Sequence, residues 1–326
     1  MKKGIKWRHV AFLGAALTML FIVGMSFASA GIVDWFGKVT GHATSQDTNV
    51  TVTVSGTTAV TIEVLNSTLT GVNPTSDSTT AVTLTVRVTD ADGYLDINTT
   101  SVHANFTKSG EAIRSNSSCV DLAQNTATAK NFSCILSMWY FDGRGIWSIT
   151  AAGRDLGNTT LVQNTTSVFT YGTLQEIKMS PNQITFASVA QGAVNITSDN
   201  DPTLINNSGN YNFVGVNITA VNLRGETNTT VFINVGNITI GNNTHASNKY
   251  ECDVAPVLGS NATALVNGTT VNVKHSVISK GNNSVNDGTT GQEQIYYCFR
   301  TIPTGILSQA YSTAYTGGAW VVSANV

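Results

Sequence analysis

Charged residues are scarce in this 326-residue chain. Asp, Glu, Lys and Arg make up 11% of the positions, and the formal net charge is −2. Beyond the N-terminal segment no cluster of basic side chains occurs, so the chain lacks the positive footprint that neutralises nucleic-acid phosphates. We therefore expect no nucleic-acid partner.

The sequence also lacks the common catalytic signatures. It contains no Gly-x-Ser-x-Gly elbow, no His-Glu-x-x-His, no phosphate-binding loop and no dinucleotide fingerprint. The five His are scattered singly and no Cys-x-x-Cys occurs, which disfavours a zinc site. The prediction is a protein that is not an enzyme and has no catalytic residues.

Glycosylation sequons, in contrast, are abundant. Seventeen Asn-x-Ser/Thr triplets occur, where composition alone would place roughly seven. This excess favours a glycosylated surface, although Thr-rich strands would also produce part of it. The predicted acceptors are Asn49, Asn66, Asn98, Asn105, Asn116, Asn131, Asn158, Asn164, Asn195, Asn206, Asn217, Asn228, Asn237, Asn242, Asn261, Asn267 and Asn282.

The first thirty residues have the composition of a leader. Basic residues precede an apolar run from Val10 to Ala28, and small side chains at 28–30 suit a cleavage site. We interpret residues 1–30 as a secretory signal peptide. A run of about 19 residues can also span a bilayer, so an uncleaved signal anchor is the alternative and would be the only membrane contact. Cleavage near Gly4, as in pilin-type leaders, is disfavoured because Lys6 and Arg8 interrupt the apolar run.

Four cysteines are few, but the number is even and the chain is predicted to be exported. Disulfides are the default interpretation in that setting. Three pairings are possible. We favour Cys119 with Cys134 and Cys252 with Cys298, because each pair then stays within one predicted domain.

Apolar residues alternate with Thr and Ser along much of the chain, as in Val50–Val54, Val60–Val64 and Val82–Val88. A period of two gives each strand one apolar face and one polar face. No amphipathic helix is predicted after the leader. Further strands are expected at Ser101–Phe106, Phe132–Phe141, Ile146–Gly153, Ser167–Tyr171, Ile184–Val189, Val194–Thr197, Asn212–Val221, Thr230–Val235, Ile238–Ile240, Thr269–Val273, Ile295–Phe299 and Ala319–Val322.

Many short alternating strands separated by turn residues predict an all-β fold. We divide the chain into the leader (1–30), a tether (31–47), a first β-sandwich (48–172) and a second β-sandwich (173–326). Two sandwiches in series after a tether suit a protein that projects from a surface.

Two segments carry a resemblance to known domains. Val86–Ile97 resembles the early strand and loop of immunoglobulin-like domains in secreted archaeal and bacterial surface proteins, and Met138–Asp155 is similar to their late hairpin. The run Asn207–Ala220 resembles β-rich archaeal surface and fibre-type proteins. The resemblance implies an archaeal-type secreted glycoprotein with two tandem immunoglobulin-like sandwiches. Cys119 and Cys134 are too close in sequence for the inter-sheet disulfide of antibody domains, so we expect them to pin a hairpin or loop.

Acidic residues alternate before a glycine turn at Asp90 and Asp92, and Asp96 follows. Carboxylates in such a loop can converge on Ca²⁺, which prefers oxygen ligands, although the complete twelve-residue calcium loop is absent. The alternative is an ordinary turn in which Asp accepts backbone hydrogen bonds. Asp199 and Asp201 form a weaker candidate of the same kind.

Aromatic residues are concentrated near the C-terminus. Exposed Tyr or Trp at this density could stack on sugars, but alternation in a half-buried strand favours core packing. We also expect Trp139 and Trp147 in the core of the first domain. The aromatic residues in question are Tyr296, Tyr297, Phe299, Tyr311, Tyr315 and Trp320.

The function predicted from these patterns is structural or adhesive, at the cell surface or in the extracellular medium. The expected partners are other surface proteins or glycans. A carbohydrate- or solute-binding module is one alternative. A filament subunit assembled by strand exchange is another, with Thr48–Ser55 as the donor strand.

Overall fold

The computed structural model describes residues 51–52, 56–65, 68–242, 252, 262–315 and 318–326. These residues are all-β, and none of them forms an α-helix. The contacts divide the chain into Met1–Val54 and Ser55–Val326. The predicted leader and tether lie outside the described residues. Within the described part of the chain, no helix has the length and apolar character needed to cross a membrane.

The strands are short, and most connections between them are turns or brief loops. In chain order they are β1 Thr61–Val64, β2 Thr68–Val72, β3 Thr79–Thr89, β4 His103–Thr107, β5 Arg114–Asn116, β6 Val120–Asn125, β7 Ala129–Trp139, β8 Gly145–Gly153, β9 Val162–Tyr171, β10 Ile177–Ser180, β11 Val194–Thr197, β12 Thr203–Asn207, β13 Gly215–Thr219, β14 Leu223–Gly225, β15 Phe232–Ile233, β16 Ile238–Asn242, β17 Thr263–Ala264, β18 Thr270–Val273, β19 Gln292–Thr301, β20 Tyr311–Ser312 and β21 Val321–Asn325.

The first half of the described chain, which comprises β1 to β9, contains two sheets. Their strand orders are β1-β3-β7-β6 and β2-β9-β8-β4-β5. Antiparallel pairing of β3 with β7 runs from Thr79 opposite Trp139 to Thr89 opposite Ala129. Buried side chains of both sheets, among them Leu84 and Trp147, belong to one hydrophobic cluster. The alternation of the sequence therefore places one face of each sheet in a shared core, as in a β-sandwich.

The second half has its own hydrophobic cluster, built around side chains such as Ile218, Ile240 and Tyr297. A six-stranded sheet has the order β10-β12-β19-β16-β17, with β11 also paired to β19. Two three-stranded sheets have the orders β18-β13-β21 and β15-β14-β20. The long strand β19 organises this half, because β11, β12 and β16 all pair with it.

Several direct contacts join the two halves. Lys280 donates to Glu111 Oε1 at 2.6 Å, and Lys178 donates to Asp77 Oδ2 at 2.6 Å. The backbone N–H of Asn283 also donates to the Tyr140 hydroxyl at 2.9 Å. The division into domains at residues 172 and 173 stays a prediction: the hydrophobic clusters separate there, yet Ser55–Val326 form one compact unit.

Most of the predicted strands are present, and Val194–Thr197 has the predicted bounds. One strand prediction is wrong: residues 184–189 form no strand, although Ile184, Phe186 and Val189 pack against the second core. Apolar residues alternate in this segment because one side of it packs on the core, although its backbone does not pair with a neighbouring strand. Of the predicted donor strand the structure describes Thr51 and Val52, which are exposed and outside any strand.

The aromatic predictions are also partly corrected. Trp147 and Tyr297 are fully buried, as expected of core residues. Trp139 is 39% exposed, so its prediction as a core residue is wrong. It lies at the end of β7, where its ring stacks on Phe141 with centroids 5.7 Å apart. Successive side chains of a strand point to opposite faces, so Trp139 lies on the face opposite that of the buried Met138.

The structure joins Cys119 to Cys134 and Cys252 to Cys298, the two pairings favoured from the sequence. Cys119 immediately precedes β6 and Cys134 lies in β7, so the first disulfide pins the hairpin formed by these neighbouring strands. The second attaches the segment between β16 and β17 to β19. Two disulfides are typical of a protein that folds in an oxidising compartment outside the cytoplasm.

Candidate functional site

Three acidic residues of the first half converge at one end of its two sheets. Asp90 directly follows β3, and Asp92 and Asp96 lie in the loop after it. Gly93, between them, has φ of +124°, a conformation that L side chains rarely adopt. One ligand oxygen from each of the three carboxylates lies within 4.8 Å of the other two. The residues singled out from the sequence are therefore brought together in space.

The hydrogen bonds of the loop account for only some of the carboxylate oxygens. Asp90 Oδ1 accepts from the backbone N–H of Asp92 at 2.8 Å. Asp96 Oδ2 accepts from the Gly56 N–H at 2.6 Å, and Asp92 Oδ2 accepts from the Thr58 N–H at 3.0 Å. These bonds attach the segment that precedes β1 to the loop that follows β3.

Two buried oxygens at this end of the sheets have no hydrogen-bond donor. Asp90 is fully buried and Asp155 is 1% exposed, and the Oδ2 atom of each is unpartnered. Asp155 follows β8 in the other sheet and forms a β-bridge with Ile97, the neighbour of Asp96. Its Oδ1 accepts from the Asn158 N–H. A fourth carboxylate is thus adjacent to the three that the sequence pattern identified.

The electrostatics of this cluster are strongly negative. Burial raises the pKa of Asp90, and the negative charges of Asp96, Asp92 and Asp155 raise it further, while the hydrogen bond from Asp92 lowers it. None of the ion pairs in the described part of the chain involves these four carboxylates. An unpaired buried carboxylate is costly, and a bound cation or a proton would relieve that cost.

The weaker acidic candidate does not assemble in the same way. Asp199 is exposed, whereas Asp201 is partly buried and accepts from the Tyr297 N–H at 3.2 Å. Burial raises the pKa of Asp201 to about 6, against the opposing effect of hydrogen bonds from Ser198 and Tyr297. Within the described residues, these two Asp belong to no group of three ligands close enough to hold a metal ion.

The predicted glycan acceptors are mostly accessible. Fourteen of the seventeen sequon asparagines are described, and all but Asn242 are exposed or partly exposed. Asn242, at the end of β16, is 4% exposed. Asn49, Asn66 and Asn261 lie outside the described residues.

Several of these sequons share one local conformation. At Asn98, Asn164, Asn228 and Asn282, the side-chain Oδ1 accepts from both the backbone N–H and the hydroxyl of the residue two positions later. This is the Asx-turn geometry, which Asn favours in loops and at strand ends.

A cleft of about 990 Å³, lined by both polar and apolar side chains, lies in the second half. Ile184 and Phe186, from the segment wrongly predicted as a strand, line one part of it. Trp320 and Val322, in and beside β21, line another. Among the described strands, β21 pairs only with β13, so its other edge is open to a further strand. Of the C-terminal aromatic residues, Tyr297 and Phe299 are buried in the core, and Tyr311 and Trp320 line the cleft, whereas Tyr315 is 53% exposed, so its prediction as a core residue is wrong.

Two functional features were not found by inspection of the sequence. Asp155 stands alone in sequence, and only the adjacency of the β8 and β3 ends brings it to the other carboxylates. The cleft is formed by segments that are far apart in sequence, and the spacing of apolar residues along the chain does not show how such segments pack. The one signal for Asp155 was its position after the glycine that ends a Trp-bearing strand.

Neither the known protein-family models nor the curated proteins contain a match to this chain.

Proposed function

We propose that this chain is a non-enzymatic, glycosylated structural or adhesive component of an archaeal-type cell surface, built from tandem immunoglobulin-like sandwiches. The observation that carries the proposal is the accessibility of thirteen of the fourteen described sequon asparagines on an all-β, disulfide-linked fold. A chain with few charges gains solubility from glycan attached at such positions. Its extracellular partners would be other surface proteins or glycans.

The proposal predicts a specific glycosylation pattern. Glycopeptide mass spectrometry on native protein, taken separately from membrane and medium fractions, should find glycan at several exposed sequons such as Asn195 and Asn228. Asn242 serves as the internal control, because its buried side chain should remain unmodified in the folded protein. Bare asparagines throughout would contradict the proposal and assign the sequons to Thr-rich strand composition. The same spectra, through the N-terminal peptide, distinguish a cleaved leader from an anchor.

A second candidate function, a filament subunit, is favoured by this cleft. The cleft adjoins β21, which pairs only with β13 among the described strands, and is lined by side chains such as Phe186 and Trp320. We propose that its occupant is the Thr48–Ser55 segment of a second copy, whose Val50, Val52 and Val54 alternate as an inserted strand requires.

Intermolecular cross-linking tests this second candidate in the full chain. The described cysteines are all in disulfides, so a Val52→Cys, Ala187→Cys double variant should form a ladder of linked chains on non-reducing gels. A Val52→Cys, Val120→Cys variant is the matched control, because Val120 is 66% exposed and lies far along the chain from the cleft-lining residues. An internal cross-link within one copy, or no cross-link, would rule out strand exchange between copies.

A further inference from the structure

We propose that Asp90, Asp92 and Asp96 bind one Ca²⁺ ion beside the buried carboxylate of Asp155, and that the ion fastens the beginning of the first sandwich. The proposal starts from burial. Asp90 and Asp155 are less than 2% exposed, yet each keeps one oxygen without a donor. Buried charges in folded proteins are paired with other charges or coordinate metals. No Lys or Arg among the described residues pairs with these carboxylates, which leaves their negative charge available to a metal ion.

The spacing of the oxygens is compatible with one bound ion. Ca²⁺ binds oxygen at 2.3–2.6 Å, so two ligands on opposite sides of one ion are at most about 5 Å apart. The carboxylate oxygens of Asp90, Asp92 and Asp96 lie within 4.8 Å of one another, which one Ca²⁺ can bridge. Mg²⁺ demands octahedral geometry and keeps several of its waters, whereas Ca²⁺ accepts six to eight oxygens in flexible geometry, so a cluster of several carboxylates favours Ca²⁺.

The site would act as a structural clamp because its ligands are attached to separate segments. Asp90 and Asp92 follow β3 of one sheet, and Asp96 precedes Ile97, which forms a β-bridge with Asp155 after β8 of the other. Asp92 and Asp96 in turn hold the backbone of Thr58 and Gly56, just before β1. An ion at this position would link both sheets and the incoming chain. Exposure of Asp92 leaves one side open to water ligands, as in extracellular calcium modules with dissociation constants of about 10⁻⁴–10⁻³ M.

Calcium titration of the full-length protein tests the inference. After dialysis against a chelator, Ca²⁺ should produce a saturable calorimetric signal, and 10 mM Ca²⁺ should raise the melting temperature by about 5 °C. Mg²⁺ at the same concentration should have a smaller effect. Absence of both the heat and the temperature shift would overturn the proposal.

Two Asp→Asn variants test a ligand and its neighbouring charge. Asp92→Asn should abolish most of the Ca²⁺-dependent shift, and Asp155→Asn should reduce it. In chelator, however, both should melt at or above the wild-type temperature, because each removes a repelling charge. Asp199→Asn, which changes an exposed carboxylate outside the cluster, should retain the full shift. If both cluster variants keep the Ca²⁺-dependent shift, the proposal is wrong. Because Asp92 is exposed, Asp92→Asn tests the site even if Asp155→Asn fails to fold.

Discussion

Lys280, from the second half of the chain, donates to the Glu111 carboxylate of the first half at 2.6 Å. Both side chains are mostly buried, with 27% of Lys280 and 14% of Glu111 exposed, and Lys280 also donates to the Phe141 carbonyl at 3.3 Å. The contact spans 169 positions of sequence. Of the two ion pairs that join the halves within the described residues, it is the more sheltered, because the Lys178–Asp77 pair is more exposed.

Lys280→Met should therefore weaken the attachment of the halves. Loss of the ammonium leaves the Glu111 carboxylate partly buried without its cation, and we expect a loss of about 1–3 kcal/mol in the free energy of unfolding. Lys178→Met is the matched control and should cost about 0–1 kcal/mol, since its pair is exposed. Urea denaturation measures both. Equal losses in the two variants would show that burial does not set the strength of these pairs.

The core of the first half should depend on Trp147. Its side chain is fully buried, and its indole N–H donates to the Gly143 carbonyl at 2.8 Å. Trp147→Ala should cost about 3–5 kcal/mol, because it creates a cavity and leaves that carbonyl unpartnered. Trp139→Ala, at a residue 39% exposed, should cost about 1 kcal/mol. Chemical denaturation monitored by far-UV circular dichroism compares the two, and a larger effect at Trp139 would contradict the description of this core.

The two disulfides should contribute unequally to stability. They close loops of 15 and 46 residues. In the chain-entropy model they stabilise by about 3 and 4 kcal/mol respectively, because the longer loop has more freedom to lose. Paired alanine variants at Cys119 and Cys134, and at Cys252 and Cys298, test this order by urea unfolding. A greater loss from the shorter loop would indicate that local strain or packing outweighs loop entropy.

Stability should also vary with pH through Asp201. Its pKa is raised from 3.8 to about 6, chiefly by burial. The folded state therefore binds the proton more tightly than the unfolded state, and the free energy of unfolding falls as pH rises from about 4 to about 6. After allowance for solvent screening, the contribution is about 1 kcal/mol. Asp201→Asn should remove this slope, whereas Asp199→Asn should keep it. A slope unchanged by Asp201→Asn would assign the pH dependence to other groups.

The sequence predicted much of the fold because strand alternation is a local signal. The predicted segments Val60–Val64 and Val82–Val88 overlap β1 and β3, whose inward residues enter the core, as a period of two requires. Short strands such as β14, β17 and β20 were missed because two or three residues contain too little alternation to detect. Residues 184–189 alternate without pairing, since periodicity reports which side is buried and not whether a neighbouring strand is present.

In the candidate site too, the residues that are close in sequence could be predicted, whereas the residue brought in by tertiary packing could not. Asp90, Asp92 and Asp96 could be identified from sequence because all three lie in one loop, where a glycine turn brings them together locally. Asp155 could not, because its approach to Asp90 depends on how two sheets stack.

The sequence by itself determined the all-β character, the sequons and the favoured cysteine pairings, since composition, spacing and two-residue periodicity are properties of neighbouring positions. Only the tertiary structure decided that Asp155 joins the acidic loop, that Lys280 pairs with Glu111 and that a cleft borders β21. These relationships connect residues far apart in the chain, and the packing of whole sheets sets the distances between them.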